Sequence, residues 1–191
     1  MAALTHAQAR HRFAVMRRFM ERDTTRGLRN AQANYLVAVG LLTYIEAIGG
    51  LITGNLGIPY QHSRTNFDAA LAEMPAGYST FQVTLNRGTT AKSGTGIYEI
   101  YRCGMVHQYA PVESFMVWAN QSGKARPNLL GFQWDAVPAA GQRLAVNTNE
   151  LLRDFKALLA KVSHWIATND PNYYPLIRQS LERIDGFTVH P

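Results

Sequence analysis

The residues best suited to chemistry lie in one segment, Tyr98 to Pro111, which reads YEIYRCGMVHQYAP. It sets Arg102, His107 and Tyr109 as R-x4-H-x-Y toward the end of an expected helix over residues 95–109, which Pro111 should stop by disfavouring the α conformation at Ala110. An arginine near a histidine is a metal-free pair for cleaving RNA. Histidine titrates near neutrality and serves as general base or acid toward a ribose 2′-hydroxyl. Arginine stabilises the charge gathering on the phosphate oxygens. Residues five apart on an ideal helix point about 140° apart, so one copy makes a loose site and a symmetric dimer could bring two copies to one cleft. The same residues have a structural reading. Arg102 would pair with Glu99 or Glu46, His107 would sit at a helix C-terminus where the macrodipole favours it, and Tyr109 would be a half-buried aromatic.

Other chemistries are set aside on spacing. His6 and His11 lie in a basic segment, and no HExxH or CxxC occurs, so no metal site and no cofactor are expected. The loop 87–94, RGTTAKSG, lacks the glycine that precedes the lysine of a phosphate-binding loop, and no GxSxG elbow is present. Cys103 is the single cysteine, which excludes a disulfide framework and reads as a small buried hydrophobe.

The segment resembles the signature of the HEPN superfamily, all-helical domains that commonly dimerise and often act as metal-independent RNases. Its R-x4-H-x-Y form is similar to that of HEPN toxins encoded beside MNT-type nucleotidyltransferase antitoxins. The resemblance implies Arg102 and His107 as catalytic residues and Tyr109 as a target of silencing nucleotidylation. It also implies RNA as substrate, a homodimer, and a nucleotidyltransferase antitoxin as partner. Cys103 and Glu46 are candidate supporting residues. Position 103 departs from the pattern, since active members usually carry Asn, Asp or His there, and this favours an alternative: a non-catalytic HEPN-like module that binds RNA, nucleotide or a protein.

The elements that must position these residues are mostly helical. Thr5 is a candidate N-cap for a first helix to about Asp23, with Phe13, Met16, Phe19 and Met20 on its apolar side and a break expected over Thr24 to Gly27. A second helix is expected from Leu28 to Thr53, and a third from Ser63 to Met74 with Phe67, Ala70, Leu71 and Met74 on one face. Short strands are expected at 114–119, 129–134 and 143–146. Asn147 or Asn149 then caps a strong helix to Ala167, and a tail helix follows Pro171. The expectation is one domain over 1–191: a HEPN-like, mainly α bundle with a small antiparallel β-meander at about 114–146, before the last helices.

The run from Tyr35 to Thr53 is long and apolar enough to span a bilayer, but a central Glu46 is costly there. It is therefore expected to be the buried central helix, with Gly49, Gly50 and Gly54 marking close packing or the helix end, and Arg102 the natural partner for Glu46. With no signal-peptide pattern at the N-terminus, a cytoplasmic location is expected, with no membrane partner.

Net charge is +6 over 191 residues, and it is concentrated. Residues 1–29 hold seven arginines against Glu21 and Asp23, a balance of +5, while everything else balances to +1. Arginine's planar fork suits phosphate oxygens, so Arg10, Arg17 and Arg18, with Arg87 and Lys92 of the polar loop, are candidate RNA-holding residues. A solvated helix face is the plainer reading of the same charge.

Overall fold

A computed structural model describes residues 3–30, 34–58, 62–75, 77–78, 97–98, 102, 116–118, 130–137 and 141–184. Among them are five helices and three short strands: α1 (His6–Asn30), α2 (Asn34–Ile52), α3 (Ser63–Glu73), β1 (Met116–Trp118), β2 (Phe132–Val137), β3 (Gly141–Asn147), α4 (Thr148–Ala167) and α5 (Tyr174–Ile184). The protein is mainly helical, as its sequence pattern indicates.

Thr5 caps α1 as expected, through a reciprocal box with Gln8. The Gln8 backbone N–H donates to Thr5 Oγ1 at 3.3 Å, and the Thr5 N–H donates to Gln8 Oε1 at 2.9 Å. The expected break at Thr24 to Gly27 does not occur. Thr24 turns its hydroxyl back onto the Met20 carbonyl at 2.7 Å, which satisfies it inside the helix. Gly27 is a packing position: a Cβ there would lie 2.8 Å from Val37 Cγ2 on α2. Phe13 and Met20 are buried as expected, but Phe19 is 53% exposed and faces outward.

The apolar run forms α2, the central helix. Val37, Ala38, Leu41, Leu42, Ile45, Ile48, Leu51 and Ile52 are buried, and α1, α3, α4, α5 and β1 all pack on it. It is the one helix among the described residues long and apolar enough to cross a membrane. More than half of this run is buried in the protein's own core, although Leu36 near its start is exposed. Gly54 ends it at φ +78°, in the left-handed region a side chain disfavours. The Asn55 N–H then closes back on the Gly50 carbonyl at 2.8 Å. Phe67, Ala70 and Leu71 of α3, with Met74 directly after it, are buried on the side that packs against α2.

The sheet falls where strands were expected, but it is not an antiparallel meander. Its order is β1-β3-β2, with β2 antiparallel to β3 and β1 parallel to β3 in the register Met116↔Ala145 to Trp118↔Asn147. A parallel pair needs a connection of roughly a dozen residues or more, and residues 119–140 between β1 and β3 supply it. Alternation within short strands fixes which face is apolar and carries no information about which neighbour a strand takes. β3 runs directly into α4, so the sheet is tied to the helical core at that junction.

Candidate functional site

Ile97, Tyr98 and Arg102 have helical backbone, that of Tyr98 and Arg102 being of the wider π type. Ile97 is fully buried, and Tyr98 packs edge-on against Phe67 of α3 with ring centroids 5.7 Å apart. These two side chains anchor residues 97 and 98 in the core. One turn on, the Arg102 guanidinium lies 5.8 Å from the centre of the Tyr98 ring and donates through Nε to Glu46 Oε2 of α2. The expected Glu46–Arg102 pair is therefore made. Both side chains are largely shielded, at 14% and 16% exposure, so the central carboxylate of α2 is compensated by a cation from the motif segment. The chemical consequence is a guanidinium held between an aromatic face and a carboxylate, with its position set by two elements. His107, Tyr109 and Cys103 of the motif, and Arg87 and Lys92 of the polar loop, lie outside the described residues.

The three N-terminal candidates do come together. Arg10, Arg17 and Arg18 recur at helical spacing on α1 and line one cavity of about 450 Å³, with Phe13, Ser163 and Ile166 among its other walls. Arg17 is fixed there. Its Nε bonds Glu21 Oε1 at 3.0 Å and its Nη1 donates to Ser163 Oγ at 2.9 Å, while Ser163 donates to the Leu159 carbonyl. Arg10 and Arg18 are exposed. An anion entering this cavity would meet two exposed arginines and one positioned arginine, whose charge Glu21 partly balances. His6 is occupied elsewhere, with Nε2 2.6 Å from the Ile166 carbonyl and its ring against Tyr174. Among the described residues no three His, Cys, Asp or Glu side chains gather in a metal-binding group.

A polar cluster at the sheet–helix junction was not anticipated. Asn147, Thr148, Asn149, Glu150 and Asp154 are all buried. Asn147 precedes the first turn of α4 but makes no side-chain cap, so its expected capping role is not played in the usual way. Asp154 Oδ2 accepts from the fully buried Tyr78 hydroxyl at 2.6 Å, and that hydroxyl in turn accepts the Gly131 N–H at 2.6 Å. Burial first, and the adjacent Asp154 charge second, push the Tyr78 phenol well above its ordinary pKa, so it remains a proton donor. Arg153 Nε donates to Asp154 Oδ1 at 2.7 Å, and this bond raises the arginine's own pKa. The network stitches residue 78, the entry to β2 and α4 into one unit. A signal for it was present: Asp154 interrupts the apolar stripe formed by Leu151, Phe155 and Leu158, where an acid needs a buried partner.

No protein-family model matches this chain, and no curated protein and no solved structure matches it either.

Proposed function

We propose that this protein is a HEPN-like, metal-independent endoribonuclease, acting as a homodimer in a toxin or defence role. The observation that carries the reading is the seating of Arg102. The guanidinium is largely shielded and held by Glu46 over the Tyr98 ring, the pair that the structural reading also expects, and in the proposed enzyme it would serve as a phosphate-binding group whose position is set before substrate arrives. In the proposed reaction His107 removes the proton of a ribose 2′-hydroxyl. The 2′-oxygen attacks the adjacent phosphorus, and Arg102 stabilises the extra negative charge on the phosphate oxygens. The bond to the 5′-oxygen breaks, and that oxygen is protonated as it leaves, which gives a 2′,3′-cyclic phosphate and a 5′-hydroxyl. Arg10, Arg17 and Arg18 would hold flanking phosphates, and Tyr109 would be the site through which a nucleotidyltransferase antitoxin silences the enzyme.

The arginine-lined cavity on α1 favours a second reading, in which the chain is a non-catalytic RNA- or nucleotide-binding module. It needs neither His107 nor cleavage, and it is consistent with Cys103 after the motif arginine. Incubation of labelled RNA in chelator with wild type, Arg102→Ala and His107→Ala separates the two. Cleavage lost in both variants supports the enzyme. RNA left intact by all three proteins, with binding that weakens steeply in salt, supports the module. For that binding, Arg10→Ala and Arg18→Ala should each lower the slope of log affinity against log salt by roughly one. Binding that is flat in salt would overturn the phosphate-holding role.

A further inference from the structure

The arginine cavity between α1 and α4 has a charge and a shape that define its ligand more closely. Arg10, Ala14 and Arg18 recur every fourth residue, so they form a single row along α1. Ala14 is the low point of that row, and the two arginines flank it from positions roughly 12 Å apart along the helix axis. Among the described residues Arg10 and Arg18 make no ion pair and no hydrogen bond, and both are exposed. Arg17, on the neighbouring row, is held in place. It spends Nε on Glu21 and one Nη1 hydrogen on Ser163, so among the described residues both Nη2 hydrogens are left for a ligand. Ser163 gives its own proton to the Leu159 carbonyl, so it positions Arg17 and is no donor to a ligand. Buried Phe13 and Ile166 add apolar wall.

From this we infer that the cavity binds a phosphate monoester, the terminal phosphate of a nucleotide or of an RNA strand. Three arginines against one glutamate leave its described lining at a balance of +2. A phosphate monoester carries about −1.5 to −2 at neutral pH and presents three acceptor oxygens, which matches that balance and the three guanidiniums. A carboxylate, with one charge and two oxygens, leaves an arginine unmatched. An internal phosphodiester likewise has a single charge, and its chain must leave the site on both sides. The volume of about 450 Å³ falls within the roughly 300–1,000 Å³ of small-molecule pockets, and the apolar wall takes the uncharged part of the ligand. The inference rests on the phosphate-holding role proposed above for these arginines and narrows it: the phosphate held there is an end of a molecule, not a link within a chain.

Isothermal titration calorimetry on the full chain tests it with two pairs of probes. Adenosine 5′-monophosphate is compared with its methyl phosphodiester, and a 2′-O-methyl oligonucleotide bearing a 5′-phosphate with the same strand bearing a 5′-hydroxyl. The 2′-O-methyl strands lack the attacking hydroxyl, so binding is read without cleavage. In at least one pair the terminal phosphate should bind at least roughly tenfold tighter than its counterpart. Preference in the mononucleotide pair assigns the site to a free nucleotide, and preference confined to the strands assigns it to an RNA end; each supports the inference. Arg10→Ala and Arg18→Ala should each weaken that binding roughly tenfold while circular dichroism and the melting temperature stay near wild type, because neither side chain loses a protein partner. Arg17→Lys should weaken it as well, since lysine keeps the charge and loses the fork. No preference for the terminal phosphate in either pair, or undiminished binding by folded Arg10→Ala and Arg18→Ala, would overturn the inference. RNA left intact in the chelator assay while this preference survives would count against the ribonuclease alone.

Discussion

Glycine-to-alanine substitutions at positions 40 and 49, both within α2, should shift stability in opposite directions. At Gly40 a Cβ would meet nothing within 4 Å. Alanine there gains helix propensity and restricts the unfolded chain, worth about 0.5–1 kcal/mol. At Gly49 the same atom would lie 1.6 Å from the Asn66 carbonyl oxygen and 2.4 Å from its carbon, both backbone atoms of α3. Ordinary contact requires roughly 3.4 Å or more, so the two helices would have to part by roughly 2 Å. Asn66 resists this, because its Oδ1 accepts from Thr53 Oγ1 at 2.9 Å and from Asn55 Nδ2 at 3.3 Å at the end of α2. Overpacking costs about 1–3 kcal/mol, and loss of these bonds adds about 1 kcal/mol each. Less the propensity gain, Gly49→Ala should destabilise by about 2–4 kcal/mol. Urea unfolding followed by far-ultraviolet circular dichroism measures both. A Gly49→Ala protein within about 0.5 kcal/mol of wild type would refute the α2–α3 packing described above, as would equal effects at the two positions.

Tyr78→Phe should cost about 2–4 kcal/mol, since it strips a charged hydrogen bond from Asp154 and orphans the buried Gly131 N–H. A loss under about 0.5 kcal/mol in the same urea experiment would show that this network is not formed. The Tyr173 hydroxyl donates to Glu73, and this bond, aided by burial, pushes its pKa from 10.0 to about 12. A phenol whose folded value is raised contributes stability that is complete below pH 10 and is lost as pH climbs toward 12. Alkaline unfolding of Tyr173→Phe should therefore be flatter than wild type across that window, and identical slopes would contradict the assignment.

Much of the helical framework could be read from the chain because its signals are local. Thr5 with Gln8, the apolar run of α2, the Phe67–Met74 face and the glycines at 49 and 54 each act through neighbours within a turn or across one helix contact. Thr24 and Gly27 misled for the same reason. Their local preference is to break a helix, and it is overridden by a back-bond to Met20 and by Val37 packing on the glycine. Phe19 satisfies helical periodicity yet faces outward, because periodicity defines a stripe without fixing where neighbours end. The parallel pairing of β1 with β3 and the Tyr78–Asp154 network depend on contacts between residues distant in sequence, which composition does not encode. In the candidate site, the Glu46–Arg102 pair was foreseeable because a carboxylate in the middle of a core helix demands a cation. The convergence of Arg10, Arg17 and Arg18 on one cavity followed from their spacing, whereas the Ser163 contact that fixes Arg17 comes from α4 and left no mark on the pattern.

The central proposal, metal-free RNA cleavage by Arg102 and His107, is tested most directly by product chemistry. Wild-type protein in excess chelator should convert end-labelled RNA into fragments ending in a 2′,3′-cyclic phosphate. Arg102→Ala and His107→Ala, confirmed as folded, should lose roughly two to four orders of magnitude in rate. A substrate carrying 2′-deoxyribose at the cleaved nucleotide should survive. Cleavage that persists in either variant, that cuts the deoxy substrate, or that vanishes only with chelator would contradict the account.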